Sequence, residues 1–88
     1  MTWAVRLAAE AEAFIQALPD KTRRQVSRSI SDLEQDPFRG DVKPLKGKEW
    51  KGFYRKRAGD FRIIFHLHYD QRFIDVASVL RRSEKTYD

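Results

Sequence analysis

The sequence predicts one α+β domain spanning residues 1–88: a short N-terminal strand, a helical hairpin, then a three-stranded antiparallel meander, in the order β-α-α-β-β-β. Three observations predict it. Apolar residues alternate over Trp3–Leu7, recur at helical spacing from Ala8 to Gln35, and return to alternation from Phe53 onward. A chain of this length buries only about 60% of its unfolded surface, which supports a single core.

Each element follows from its pattern. Trp3, Val5 and Leu7 alternate with Ala4 and Arg6, a short strand with one buried face. From Ala8 to Leu18 the chain is Ala-rich, and Leu7, Ala11, Phe14 and Leu18 form one stripe of a helix. Pro19 ends that helix or opens the next, because proline fits a first helical turn and pushes the residue before it out of the helical region. A second helix over Asp20–Gln35 sets Val26, Ile30 and Leu33 on one face and Lys21, Arg24 and Arg28 on another, and Asp36-Pro37 closes it. Pro37 to Gly52 holds two of the three prolines and three of the four glycines and reads as an irregular basic loop.

The meander consists of Phe53–Arg57, a turn at Ala58-Gly59-Asp60, Phe61–Tyr69, a turn at Asp70-Gln71, and Phe73–Leu80. In its middle strand Phe61, Ile63, Phe65, Leu67 and Tyr69 share the face expected to meet the helices. Arg62, Ile64, His66 and His68 share the other. The polar tail from Arg82 to Asp88 is expected to leave the sheet.

Composition removes several function classes. Cysteine is absent, which excludes disulfides, thiolate nucleophiles and Cys-ligated zinc, and fits a cytoplasmic protein. No stretch approaches the roughly 18–20 apolar residues that span a bilayer, so a soluble chain is expected. The first residues, with two early acids and no basic leader, do not read as a signal peptide. The formal charge is +5 and unevenly placed: residues 1–36 carry five basic and six acidic side chains, residues 37–88 thirteen and seven. Between Arg39 and Arg62 there are nine basic residues and three acids, the footprint expected for a polyanion partner, although a merely solubilising surface would look the same.

The sharpest feature is YRKRAGDFRIIF, Tyr54 to Phe65. Arg55 and Arg57, two apart, point the same way from one strand while Lys56 points opposite. Arg62 on the paired strand can join them, and converging guanidiniums repel unless carboxylates or a phosphate lie among them. Asp60, Glu49 and Asp75 are the acids expected nearby. Arginine forks onto phosphate, which suits a nucleic-acid backbone. Lys43, Lys46, Lys48 and Lys51 in the loop would steer RNA by long-range attraction that weakens with salt. His66 and His68 could serve as acid and base of a ribonuclease, or be polar positions on a half-exposed strand; as metal ligands they lack an evident third partner. Trp50, between Lys48 and Lys51, could stack on a base or belong to the core.

With PLKG (Pro44–Gly47), YRKRAGDFRIIF, VASVLRR (Val76–Arg82) and a terminal Tyr87 in this order, nearly the whole chain resembles the RelE/ParE superfamily of toxin–antitoxin toxins. The resemblance implies a RelE-like fold and one of two activities. RelE-like members are mRNA endoribonucleases that usually cut in the ribosomal A site, whereas ParE-like members poison DNA gyrase. An arginine followed closely by a tyrosine at the C-terminal end is similar to the RelE type and favours that branch.

Carried over by position, the resemblance implies that Arg55, Arg57 and Arg62 grip the scissile phosphate. Arg82 by register, or Arg81 by its distance to the terminal tyrosine, would match the arginine of the last strand. Tyr87 would be the base that activates the RNA's own 2′-hydroxyl, its pKa lowered from about 10 by surrounding arginines. Some members carry lysines in place of Arg55 and Arg57, and arginine is a phosphate clamp rather than a proton shuttle. No metal and no small-molecule cofactor are implied. The implied partners are mRNA, the ribosome and an acidic cognate antitoxin, part of whose contact is expected on the helical hairpin. A gyrase inhibitor and a non-catalytic basic RNA-binding domain are the alternatives.

Overall fold

Phe61, Ile63, Phe65 and Leu67 give one strand a wholly apolar face, and the sheet is built around it. The computed structural model describes residues 2–81. Its elements are β1 (Ala4–Leu7), α1 (Ala9–Gln16), α2 (Asp20–Gln35), β2 (Val42–Pro44), β3 (Phe53–Ala58), β4 (Phe61–His68) and β5 (Phe73–Arg81), with short 3-10 turns at Lys48–Trp50 and Tyr69–Gln71. The strands form one sheet in the order β1-β5-β4-β3-β2. Only β1 with β5 is parallel; the other neighbours are antiparallel. The α+β class holds, and the expected order β-α-α-β-β-β gains one strand, β2, ahead of the meander.

Both helices cover one face. Ala11 and Ile15 of α1, and Val26, Ile30 and Leu33 of α2, pack on the apolar face of β4 and on Ile74, Val76 and Val79 of β5. Pro19 immediately precedes α2, its carbonyl accepting from Arg23 N–H at 2.8 Å. At the other end Asp36 Oδ1 accepts from Phe38 N–H at 3.0 Å, turning the chain away before a helix could continue through Pro37. Trp3 N–H donates to Glu34 O at 2.7 Å, and the Arg72 guanidinium lies 4.7 Å from the centre of the Trp3 ring, which ties β1 to both sides of the core. The β3–β4 hairpin closes on Gly59-Asp60, with Ala58 opposite Phe61 and Gly59 at φ 60°, a left-handed position that glycine takes without penalty. Among the described residues no helix is long and apolar enough to cross a membrane.

Three sequence expectations are corrected. The segment 37–52 is not wholly irregular: β2 pairs antiparallel with β3, Lys43 opposite Arg55 and Pro44 opposite Tyr54. Three residues cannot display a period, and Pro44 reads as a breaker although an edge strand tolerates a missing N–H. Tyr69 is not on the core face of β4; it sits in the following turn, 58% exposed, edge-on to Trp3 at 5.8 Å. In β5 the alternation does not run unbroken, because Ile64 faces Ser78 while Phe65 faces Val76, leaving Ala77 as the extra residue of a bulge.

Lys56 points to the helix side, as expected. It is 5% exposed, and its Nζ donates to Ser29 O of α2 at 3.0 Å. Burial lowers its pKa below 10.5, and Asp32 only partly counters this. A lowered lysine pKa means that charge opposes folding below the folded value, and that the cost fades as pH rises toward 10.5. Lys56→Met should therefore raise Tm in neutral buffer, and the gain should shrink in strongly alkaline buffer. Thermal melts of both proteins across that range check it.

Candidate functional site

The face of the sheet turned away from the helices carries the polar chemistry, and strand register lays it out. Arg57 stands directly opposite Arg62, and Arg55 opposite Ile64. Lys43 of β2 extends the Arg55 row outward, and a shallow pocket there is lined by Lys43, Pro44, Lys46 and Arg55. The three arginines thus converge on one patch. They are not equally accessible: Arg55 is 2% and Arg62 4% exposed, whereas the Arg57 side chain is 34% exposed.

Among the described residues the carboxylate beside them is Asp41, in place of the expected Asp60, Glu49 or Asp75. Arg55 Nη1 lies 3.2 Å from Asp41 Oδ1 and 3.3 Å from its carbonyl oxygen, and Arg57 Nε lies 3.5 Å from Oδ2. Arg57 N–H also donates to Asp41 O at 3.0 Å, which anchors the carboxylate beside the pair. That carboxylate lowers the repulsion among the three guanidiniums, and the arginine fork suits a phosphate or other anionic partner. The side chain of Asp41 is 45% exposed, so solvent screens part of its contribution. Asp41→Asn should destabilise the fold by about 1–2 kcal/mol, less than for a fully buried pair. Urea unfolding measures this.

Asp75 belongs to a second group at the other end of the face. Its Oδ1 accepts from Arg6 Nε at 3.1 Å, and its Oδ2 lies 3.2 Å from His68 Nε2. His66 faces Asp75 and Phe53 across its two neighbouring strands, and its ring stacks on Phe53 at 4.4 Å and 9°. Along β4, His66 is four residues from Arg62 and His68 six, about 13 and 20 Å at strand rise. The histidines therefore share a face with the arginines without touching the Arg57–Arg62 pair. Among the described residues no cluster of three or more His, Cys, Asp or Glu side chains is arranged to hold a metal ion.

Arg81 is on the opposite side of the sheet. It faces Phe61, and its guanidinium lies 4.9 Å from the centre of that ring. The bulge at Ala77 is the reason: Phe73 and Asp75 are on the arginine face, but beyond the bulge it is Ser78 and Leu80 that share it. Arg82, Tyr87 and the rest of the tail lie outside the described residues. Lys46, Lys48 and Lys51 are exposed, and Trp50 packs edge-on to Phe53 at 5.3 Å. Sequence reasoning missed Asp41, Arg6, Phe53 and Phe73. The alternation of β1, β3 and β5 could have shown the last three, whereas Asp41 depends on a loop path that no pattern encodes.

A two-helix layer on one face of a five-stranded sheet is an α+β fold of the RelE-like class. The profile of a family described as "ParE toxin of type II toxin-antitoxin system, parDE" matches residues 5–86, and the chain belongs to that family, within the RelE/ParE superfamily of type II toxins. No curated protein sequence matches. Among solved structures, the chain is similar to the RelE–RelB complex from Pyrococcus horikoshii, with 27% identity, TM-score 0.80, and 96% of this chain and 99% of the matched chain covered. The RelBE2 toxin–antitoxin complex from Mycobacterium tuberculosis has TM-score 0.81 at 23% identity, with 93% and 100% covered. Isolated Escherichia coli RelE has TM-score 0.71 at 16% identity, with 93% and 88% covered.

Proposed function

We propose that this type II toxin is a ribosome-dependent mRNA endoribonuclease that arrests translation in the cytoplasm. The observation that carries the reading is the register that sets Arg57 against Arg62 with Arg55 beside them. The chemistry is attack by the 2′-hydroxyl on the adjacent phosphorus, in line with the departing 5′-oxygen, leaving a 2′,3′-cyclic phosphate. Arg57, the most accessible of the three, meets the phosphate first, and Arg62 with Arg82 stabilises the added negative charge of the phosphorane; Arg81, over Phe61 on the other face, takes no part. Tyr87, by the family resemblance, takes the hydroxyl proton. Water or a histidine protonates the leaving oxygen, and His66 is the nearer histidine to the arginines. Neither a metal nor a cofactor enters the scheme. Lys43, Lys46, Lys48 and Lys51 raise the local concentration of RNA, so affinity should fall steeply between low and physiological salt, as filter binding would show.

The similar RelE–RelB and RelBE2 structures are complexes, which supports a cognate antitoxin for this chain. Its acidic segment would find cations on the sheet and, on the helical hairpin, a groove between Leu7, Ile15 and Ile30.

A second reading, inhibition of DNA gyrase, is favoured by the profile match being to the ParE family. Induction in growing cells separates the two. Arrest of amino-acid incorporation before any change in plasmid supercoiling supports the nuclease; early loss of supercoiling with a DNA-damage response supports gyrase.

A further inference from the structure

We infer that the row of rings beside the arginines is a stacking platform for bases of single-stranded RNA, an inference that rests on the RNA-cleaving function proposed above. Phe53 of β3, His66 and His68 of β4, and Phe73 of β5 form a continuous row on the arginine face. Phe53 stacks on His66 at 4.4 Å, His66 meets His68 edge-on at 4.3 Å, and His68 stacks on Phe73 at 5.5 Å. Trp50 adds a fifth ring edge-on to Phe53. All five are partly exposed, and none belongs to the hydrophobic core. Rings placed here contribute little to core burial, whereas a sheet face that offers π surfaces between cations is what an unpaired nucleic-acid strand recognises.

The cations are in place. The Arg6 guanidinium lies 5.1 Å from the centre of the Phe73 ring, and Lys48 and Lys51 flank Trp50 in the chain. The row is also continuous with the proposed phosphate clamp, since Arg55 faces Ile64, two residues from His66 on the same strand. A strand of RNA held at Arg57 and Arg62 and running along β4 would lay its next few nucleotides over these rings. Duplex RNA would not, because its bases are already stacked. Gly52 preserves the geometry: at φ 83°, a Cβ there would come within 2.8 Å of His66 Nε2 and push the imidazole off Phe53. Because every base has a π face, the platform would hold RNA with little sequence preference.

The probe is a fluorescent single-stranded oligoribonucleotide with 2′-O-methyl groups, which cannot supply the attacking hydroxyl. It is titrated by anisotropy against the full chain and its Phe53→Leu and Phe73→Leu variants, beside the same oligonucleotide carrying consecutive abasic sites. Leucine keeps apolar bulk and removes the π face. Each variant should bind the intact strand about fivefold to a hundredfold more weakly, while all three proteins bind the abasic strand alike. Variants that match the wild type on the intact strand, or lose equally on both strands, overturn the platform. Circular dichroism establishes that each variant folds. Should one not fold, the wild type decides, since equal affinity for intact and abasic strands overturns the inference. Cleavage of a ribosome-bound message is scored separately. Cleavage without a base-dependent affinity removes the platform and keeps the nuclease; base-dependent affinity without cleavage removes the nuclease and keeps the platform.

Discussion

Arg62→Ala should lower message cleavage by about a hundredfold to a thousandfold while leaving ribosome binding within a few-fold of wild type. A preorganised donor aimed at charge that develops in the transition state accounts for about that much rate. Arg62 faces Arg57 across the hairpin and is 4% exposed, so its position is held by the sheet rather than by the substrate. Arg62→Lys supplies the control. It retains the charge but not the planar fork, so it should recover part of the rate and leave the melting curve close to wild type. Single-turnover cleavage beside thermal melts reads both effects. Loss with alanine and partial recovery with lysine, each folded, fits the clamp; full activity with alanine contradicts the assignment.

Phe65→Ala should have the largest effect on the fold. Phe65 is wholly buried on the central strand, where its ring packs beside Tyr54 at 5.8 Å. Truncating such a ring costs about 3–5 kcal/mol, against a total stability of about 5–15 kcal/mol for a domain of this kind. In a domain this small the shift in Tm would be roughly 15–30 °C. Denaturant unfolding of Phe65→Ala should show a lower midpoint with an unchanged slope. A loss below about 1 kcal/mol would mean that the sheet does not pack around β4 as described.

The legible parts of the fold were those with enough residues to display a period. Helix α2 supplies four turns with Val26, Ile30 and Leu33 in phase, and its bounds follow from Pro19 and Pro37, so the sequence reading and the structure agree over Asp20–Gln35. Three-residue β2 offers no period. The parallel pairing of β1 with β5 joins residues nearly seventy positions apart, and nothing local encodes it. In the candidate site, alternation alone put Arg55 and Arg57 on one face and Lys56 on the other, whereas placing Arg62 with them required the register of the hairpin. Asp41 was hidden because a carboxylate's neighbours depend on the register of the strand it precedes. Arg81 was ambiguous for a different reason: one extra residue at Ala77 reverses the alternation of everything beyond it, and composition does not announce a bulge.

Primer extension on a reporter message in a reconstituted translation system tests the central claim most directly, comparing the wild type with Arg62→Ala and Tyr87→Phe. The account predicts new cuts within the reading frame for the wild type, with 2′,3′-cyclic phosphate ends, and their loss in both variants. An intact message on ribosomes to which the folded wild-type toxin is bound would contradict it and turn attention to gyrase.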